Sequence, residues 1–192
     1  MRKIAALGDS LTAGWAVRYG RGWVEQLAAL YPEEQFYNAG LPGDTTDGMR
    51  ERADRILREI RPDILLFMGG TNDLLLGRDV DSILENIRSI HQKCRECGYP
   101  VRMLLLLPLD VSPEPGAFAW FEKEEAPRLR ESLQCLRQKI SAYAAEQNLR
   151  CIPLQQAISE GDPEDFFLED GVHIREVVHR EIAQFLFFSE IL

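Results

Sequence analysis

Apolar residues cluster in five short runs: Lys3 to Leu7, Gln35 to Asn38, Asp63 to Gly69, Val101 to Pro108 and Arg150 to Leu154. Runs this short, bounded by turn residues, read as strands. The segments between them repeat their apolar positions at three and four, the period of a helix buried on one face. Trp23, Leu27 and Leu30 follow the first run, and Met49, Ala53, Ile56, Leu57 and Ile60 follow the second and stop before Pro62. Ile83, Ile87, Ile90, Cys94 and Cys97 follow the third and stop near Gly98 and Pro100. Leu129, Leu133, Leu136, Ile140 and Tyr143 follow the fourth, and Ile174, Val177, Val178, Ile182, Phe185 and Leu186 follow the fifth. Strict alternation predicts an α/β fold in which parallel strands are joined by right-handed crossovers and helices cover both faces of the sheet. Ile64 to Met68 and Leu104 to Leu107 are apolar at successive positions, as strands buried on both sides require.

Composition narrows the possibilities. At 192 residues with 45% hydrophobic content, the chain suits a single domain spanning residues 1–192. The longest apolar runs, Ile64 to Met68 and Met103 to Leu109, fall far short of the roughly 18 residues needed to span a bilayer. Met1, Arg2 and Lys3 run directly into the first strand without the apolar stretch of a secretory signal, so a cytoplasmic location is expected. The net charge of -9 repels a phosphate backbone, which disfavours nucleic acid as a partner. Cys94 and Cys97 have the spacing of half a zinc site, but no second pair or matching histidine completes it. They read instead as part of a helix stripe, and no metal is expected.

In open parallel sheets, ligands bind beyond the carboxyl ends of the strands. After the first strand stands Gly8-Asp9-Ser10-Leu11-Thr12, a glycine-bearing turn that exposes a hydroxyl. After the second stands Asn38-Ala39-Gly40-Leu41-Pro42-Gly43-Asp44-Thr45-Thr46, and after the third Gly69-Gly70-Thr71-Asn72-Asp73. Asp170-Gly171-Val172-His173 follows the fifth and opens the last helix. Each motif alone is an ordinary turn. Together they supply a nucleophile, an amide donor, a base and an orienting carboxylate along one edge of one sheet.

These four blocks resemble the SGNH or GDSL hydrolase family of esterases and lipases. The matching residues are Gly8-Asp9-Ser10-Leu11, Gly43, Gly70-Thr71-Asn72-Asp73 and Asp170-Gly171-Val172-His173. The resemblance implies a flavodoxin-like three-layer α/β/α sandwich around a five-stranded parallel sheet. It also implies Ser10 as nucleophile, His173 as base, Asp170 as its orienter, and an oxyanion hole made by the Ser10 and Gly43 amides and the Asn72 side chain.

The residues carry much of this reading unaided. A serine hydroxyl needs a base within hydrogen-bond reach, and at neutral pH an imidazole serves best. Of the three histidines, His91 falls beside an apolar helix stripe and reads as a packing residue, whereas His179 shares a polar stripe with Arg175, Glu176 and Arg180 and reads as solvated. His173 remains, on a glycine-containing loop with a carboxylate three positions earlier. Among the nearby acids Asp162, Glu164, Asp165 and Glu169, only Asp170 has that spacing. Asn72 is the candidate side-chain donor to the developing oxyanion. Asp9, Thr12, Asp44 and Asp73 read as hydrogen bonders that brace the loops.

This chemistry requires no cofactor. A phosphate-binding module is disfavoured, because Asp9, Asp44 and Asp73 occupy the loops where an anion would sit. The expected partner is a small-molecule ester of short to medium acyl chain, with an acetylated sugar, an acyl thioester or a lysophospholipid as alternatives. Trp15, Tyr19, Leu74, Phe118, Trp120 and Phe166 are candidates for an acyl pocket, with Trp15, Leu74, Phe118 and Trp120 the principal ones. The long irregular stretch Leu109 to Glu122 is a candidate pocket wall or lid.

Overall fold

The computed structural model describes residues 1–158 and 161–192. In chain order the elements are β1 (Lys3–Gly8), α1 (Ser10–Ala13), α2 (Trp23–Leu30), β2 (Gln35–Gly40), α3 (Thr46–Glu59), β3 (Ile64–Met68) and α4 (Thr71–Leu75). There follow α5 (Val80–Glu96), β4 (Arg102–Leu106), α6 (Ala126–Glu146), β5 (Arg150–Ile152), α7 (Pro163–Phe166) and α8 (Glu176–Phe188). The strands form one parallel sheet in the order β2-β1-β3-β4-β5, the flavodoxin-like arrangement.

Side chains alternate across a strand, so each strand feeds two cores. Ala5, Leu7, Leu65, Phe67, Met103 and Leu105 point to one face and pack against Met49, Ala53 and Ile56 of α3, Ile83, Ile87 and Ile90 of α5, and Leu136 and Ile140 of α6. Ile4, Ala6, Ile64, Leu66, Leu104 and Leu106 point to the other and meet Trp23, Val24 and Leu27 of α2 and Val178, Ile182 and Leu186 of α8. The result is a three-layer sandwich. No helix among the described residues is long and apolar enough to cross a membrane.

Register brings the strand ends to a common edge. Gly8 of β1 pairs with Gly40 of β2 and with Met68 of β3, so the three following turns leave the sheet side by side. Gly40 is a packing requirement there: a Cβ on it would lie 2.2 Å from the Ala13 amide nitrogen. Only a bare backbone lets α1 lie directly on the end of β2.

Several local expectations change. The short helices α1, α4 and α7 lie outside the five helical stripes that the spacing marks. Leu30 ends α2 at 39% exposure, outside the core that its spacing predicts. Cys94 is buried in the α5 stripe, whereas Cys97 caps that helix and donates to the Cys94 and Tyr99 carbonyls. The motif Asp170 to His173 does not open the last helix, which begins at Glu176. Ile174 instead makes an antiparallel bridge with Phe167, closed by Leu168 N–H to the His173 carbonyl at 2.7 Å and Arg175 N–H to the Phe166 carbonyl at 2.8 Å. These backbone bonds fold the segment into a closed turn before the helix starts.

Candidate active site

Ser10 is the first residue of α1. Asp9 caps that helix by accepting a hydrogen bond from the Leu11 amide at 3.0 Å, and the Trp23 indole donates to the Leu11 carbonyl at 3.1 Å. The turn is thus held from both sides. Ser10 Oγ lies 2.8 Å from His173 Nε2, across 163 positions of sequence. His173 Nδ1 lies 2.6 Å from Asp170 Oδ2. Ser10 and His173 are each 6% exposed, so the chain of bonds is shielded yet open at one end.

The second Asp170 oxygen is also committed. It accepts from the His173 amide at 2.8 Å and the Val172 amide at 3.0 Å, so the carboxylate folds its own loop while it holds the ring. Burial works to raise the Asp170 carboxyl, but the bonds from the His173 ring and these amides outweigh it and hold it below the usual carboxylate range. An ionised carboxylate can only accept, so the hydrogen shared between Asp170 Oδ2 and Nδ1 belongs to the ring.

Gly43 stands on the loop after β2 with φ +77, a left-handed conformation that glycine adopts without strain. The turn is closed by the Asp44 amide donating to the Leu41 carbonyl at 3.1 Å. Asn72 on α4 donates through Nδ2 to the Asp44 carbonyl at 2.8 Å, which links the loops after β2 and β3. That bond uses one of the two amide hydrogens and fixes the direction of the other.

The acidic residues on this edge are braces. Asp73 is buried and accepts from the Thr46 amide at 2.9 Å and the Thr46 hydroxyl at 2.8 Å, while Asn86 donates to that hydroxyl at 3.0 Å. Asp44 accepts from its neighbour's amide and from Arg52. Asp9 is buried, and burial pushes its carboxyl up to about 6 against the Leu11 bond and the nearby His173. Thr12 does not fit the bracing role: its hydroxyl is buried against Gly8 and has no hydrogen-bond partner among the described residues.

The other two histidines differ in how they meet their patterns. His91 is buried with Nδ1 2.7 Å from the Tyr143 hydroxyl, a packing residue between α5 and α6. His179 is a correction. It is 1% exposed rather than solvated, and its Nδ1 accepts from the Trp23 amide at 3.2 Å. The polar neighbours on its helix disguise a position that faces the first turn of α2.

The candidate pocket residues disperse. Leu74 and Trp120 line a cavity of about 260 Å³ together with Phe121, Leu129, Arg78 and Arg128. It lies between the helix carrying Asn72 and the loop bonded to Asp170. Trp15 is half exposed with its ring centroid 6.2 Å from that of His173. Phe118 and Tyr19 project into solvent, and Phe166 packs against the core beneath α8. The stretch Leu109 to Glu122 is tied to the acid loop by Ser112 N–H to the Gly171 carbonyl at 2.8 Å, Gly116 N–H to the Glu169 carbonyl at 2.8 Å, and Trp120 N–H to the Asp170 carbonyl at 3.2 Å.

Sequence reading passed over two residues that organise this edge, Trp23 and Arg52. Trp23 carried only a helix-periodicity signal. Arg52 carried none, because α3 also bears Arg50, Arg55 and Arg58.

A hydroxyl, an imidazole and a carboxylate in hydrogen-bonded sequence, set at the carboxyl edge of a flavodoxin-like sheet, define a class of hydrolase. The family model of the GDSL-like lipase/acylhydrolase family matches residues 6–180; the chain belongs to that family and is a carboxylic ester hydrolase. It is 27% identical over 174 residues to the esterase TesA of Pseudomonas aeruginosa, covering 88% of this chain and 78% of that one. It is 26% identical over 190 residues to an arylesterase of Vibrio mimicus, covering 96% and 86%. Its fold superposes with a TM-score of 0.82 on a carbohydrate acetylesterase from Sinorhizobium meliloti that is 20% identical, over all of both chains.

Proposed function

We propose that the chain is a serine esterase that hydrolyses neutral short to medium-chain esters through an acyl-enzyme on Ser10. Ser10 Oγ attacks the ester carbonyl as His173 Nε2 takes its proton. The ring then returns that proton to the departing alcohol, and repeats the transfer with water to release the acid. Asp170 fixes the ring tautomer and stabilises the imidazolium. The oxyanion is received by the Ser10 and Gly43 amides and the Asn72 side chain, where donors act most strongly because charge develops there only in the transition state.

The observation that carries this reading is the unbroken path from Ser10 Oγ to His173 at 2.8 Å and from His173 to Asp170 at 2.6 Å. The net charge of -9 works against polyanionic thioesters by steering them away.

Hydrolysis of p-nitrophenyl acetate by the wild type and by Ser10→Ala tests the reading. Ser10→Ala should lose at least about 10⁴ in kcat, as removal of an activated nucleophile does in serine hydrolases. Near wild-type turnover in that variant would show that another group performs the attack. A panel of p-nitrophenyl esters of increasing length, acetylated sugars and acyl thioesters then ranks the substrates.

A further inference from the structure

Arg52 is one of four arginines on α3, and it alone turns inward: its side chain is 14% exposed, and its guanidinium makes three hydrogen bonds to three different places on the catalytic edge. Nε donates to Asp44 Oδ2 at 2.7 Å, Nη1 to the Ala39 carbonyl at 2.6 Å, and Nη2 to the Gly8 carbonyl at 2.7 Å. All three acceptors lie at the ends of β1 and β2 or on the loop after β2, the segments that lead to Ser10 and Gly43. Gly8 is two residues before Ser10 and also accepts from the Leu41 amide at 3.0 Å. Asp44 follows Gly43, and its own carbonyl orients the Asn72 amide.

We propose that Arg52 is a positioning residue that holds the Ser10, Gly43 and Asn72 donors in register. This rests on the oxyanion-hole assignment of the preceding subsection and extends it to a residue that touches no substrate. The planar fork of a guanidinium addresses three acceptors in one plane, and an ammonium cannot do so. Beyond Gly8 and Gly40 the segments after β1 and β2 are joined by the Leu41 amide on the Gly8 carbonyl, and a second link, from Asp44 to the end of β1, runs through a side chain. Arg52 supplies that link. Donors aimed at a developing charge lose effect when displaced by a fraction of an ångström, and they act on the transition state rather than on bound ester.

Arg52→Lys tests the inference, because it keeps a cation beside Asp44 while breaking the fork. A thermal melt and near-ultraviolet circular dichroism establish that the variant is folded, and Asp44→Asn serves in its place if it is not. The expected result is a fall in kcat of about 10- to 100-fold with KM within about threefold. Inactivation by a p-nitrophenyl phosphonate, which loses p-nitrophenolate to leave a tetrahedral adduct on serine with its phosphoryl oxygen in the hole, should slow in parallel with kcat. The double variant Arg52→Lys/Asn72→Ala should lose much less than the product of the two single losses, since both act on one hole. A folded Arg52→Lys with wild-type kcat, a loss confined to KM, or losses that multiply in the double variant would overturn the inference. Ser10→Ala separates this from failure of the underlying reading: turnover surviving in Ser10→Ala refutes the serine mechanism itself. Loss in Ser10→Ala beside wild-type rate in Arg52→Lys refutes only the role of Arg52.

Discussion

His173 and His179 stand six positions apart and are both withdrawn from water, at 6% and 1% exposure. Their surroundings differ in kind. The ring of His173 lies between a carboxylate on Nδ1 and a hydroxyl on Nε2, on a closed turn outside any helix. His179 sits on α8 with Nδ1 accepting a backbone amide, and burial, aided by the nearby His173, pushes its pKa down to about 4. One ring has an anion beside it; the other has only a backbone donor and is kept neutral by burial. Burial therefore does not make a histidine a base. Partners of the right polarity at both ring nitrogens do.

The contrast can be broken from either side. The largest effect should come from His173→Ala, with kcat reduced by about 10⁴ to 10⁶ and the melting temperature nearly kept; Asp170→Asn should lose about 10⁴ through the wrong tautomer. Measured with p-nitrophenyl acetate, a loss of only tenfold in His173→Ala would mean that another group serves as base, and one of only tenfold in Asp170→Asn that another group orients the ring. Asn72→Ala should come next, at about 10² to 10³ in kcat with little change in KM, because one donor is part of a set.

The smallest effect on rate and the largest on stability should come from His179→Phe. It leaves the Trp23 amide unsatisfied in the interior, at a cost of about 1 to 3 kcal/mol, while kcat stays within a few-fold. The same variant should alter the acid response. His179 binds its proton less readily folded than unfolded, so the unfolded chain takes up more protons between its ordinary pKa of 6.5 and about 4. Its contribution is complete above pH 6.5 and is lost as pH falls towards 4. Denaturant melts of both proteins across that range should show the difference between them shrinking with acid. A constant difference would place the His179 pKa near its ordinary value.

The same two residues show how far the sequence reached. The segment from Asp170 to His173 was legible because chemistry demands a base, spacing supplied a carboxylate, and only three histidines competed. His179 was misread because its helical neighbours Arg175, Glu176 and Arg180 are polar, and periodicity cannot reveal that α2 packs its amino end against that point. Phe118 and Trp120 illustrate the same limit: two apolar residues of one loop, of which only Trp120 reaches the cavity.

What the sequence determined by itself was local and periodic. Short apolar runs and near-3.6 spacing defined the strands and helices, strict alternation required parallel pairing with two covered faces, and turn chemistry marked the loops that carry Ser10, Gly43, Asn72 and His173. Tertiary structure alone decided which of those loops meet and what aligns them. Arg52 is indistinguishable from its neighbours along α3 until the sheet register brings the Gly8 and Ala39 carbonyls and Asp44 within reach of one guanidinium. A hydrogen bond between residues far apart in sequence leaves no trace in spacing; it exists only once packing has fixed where both ends stand.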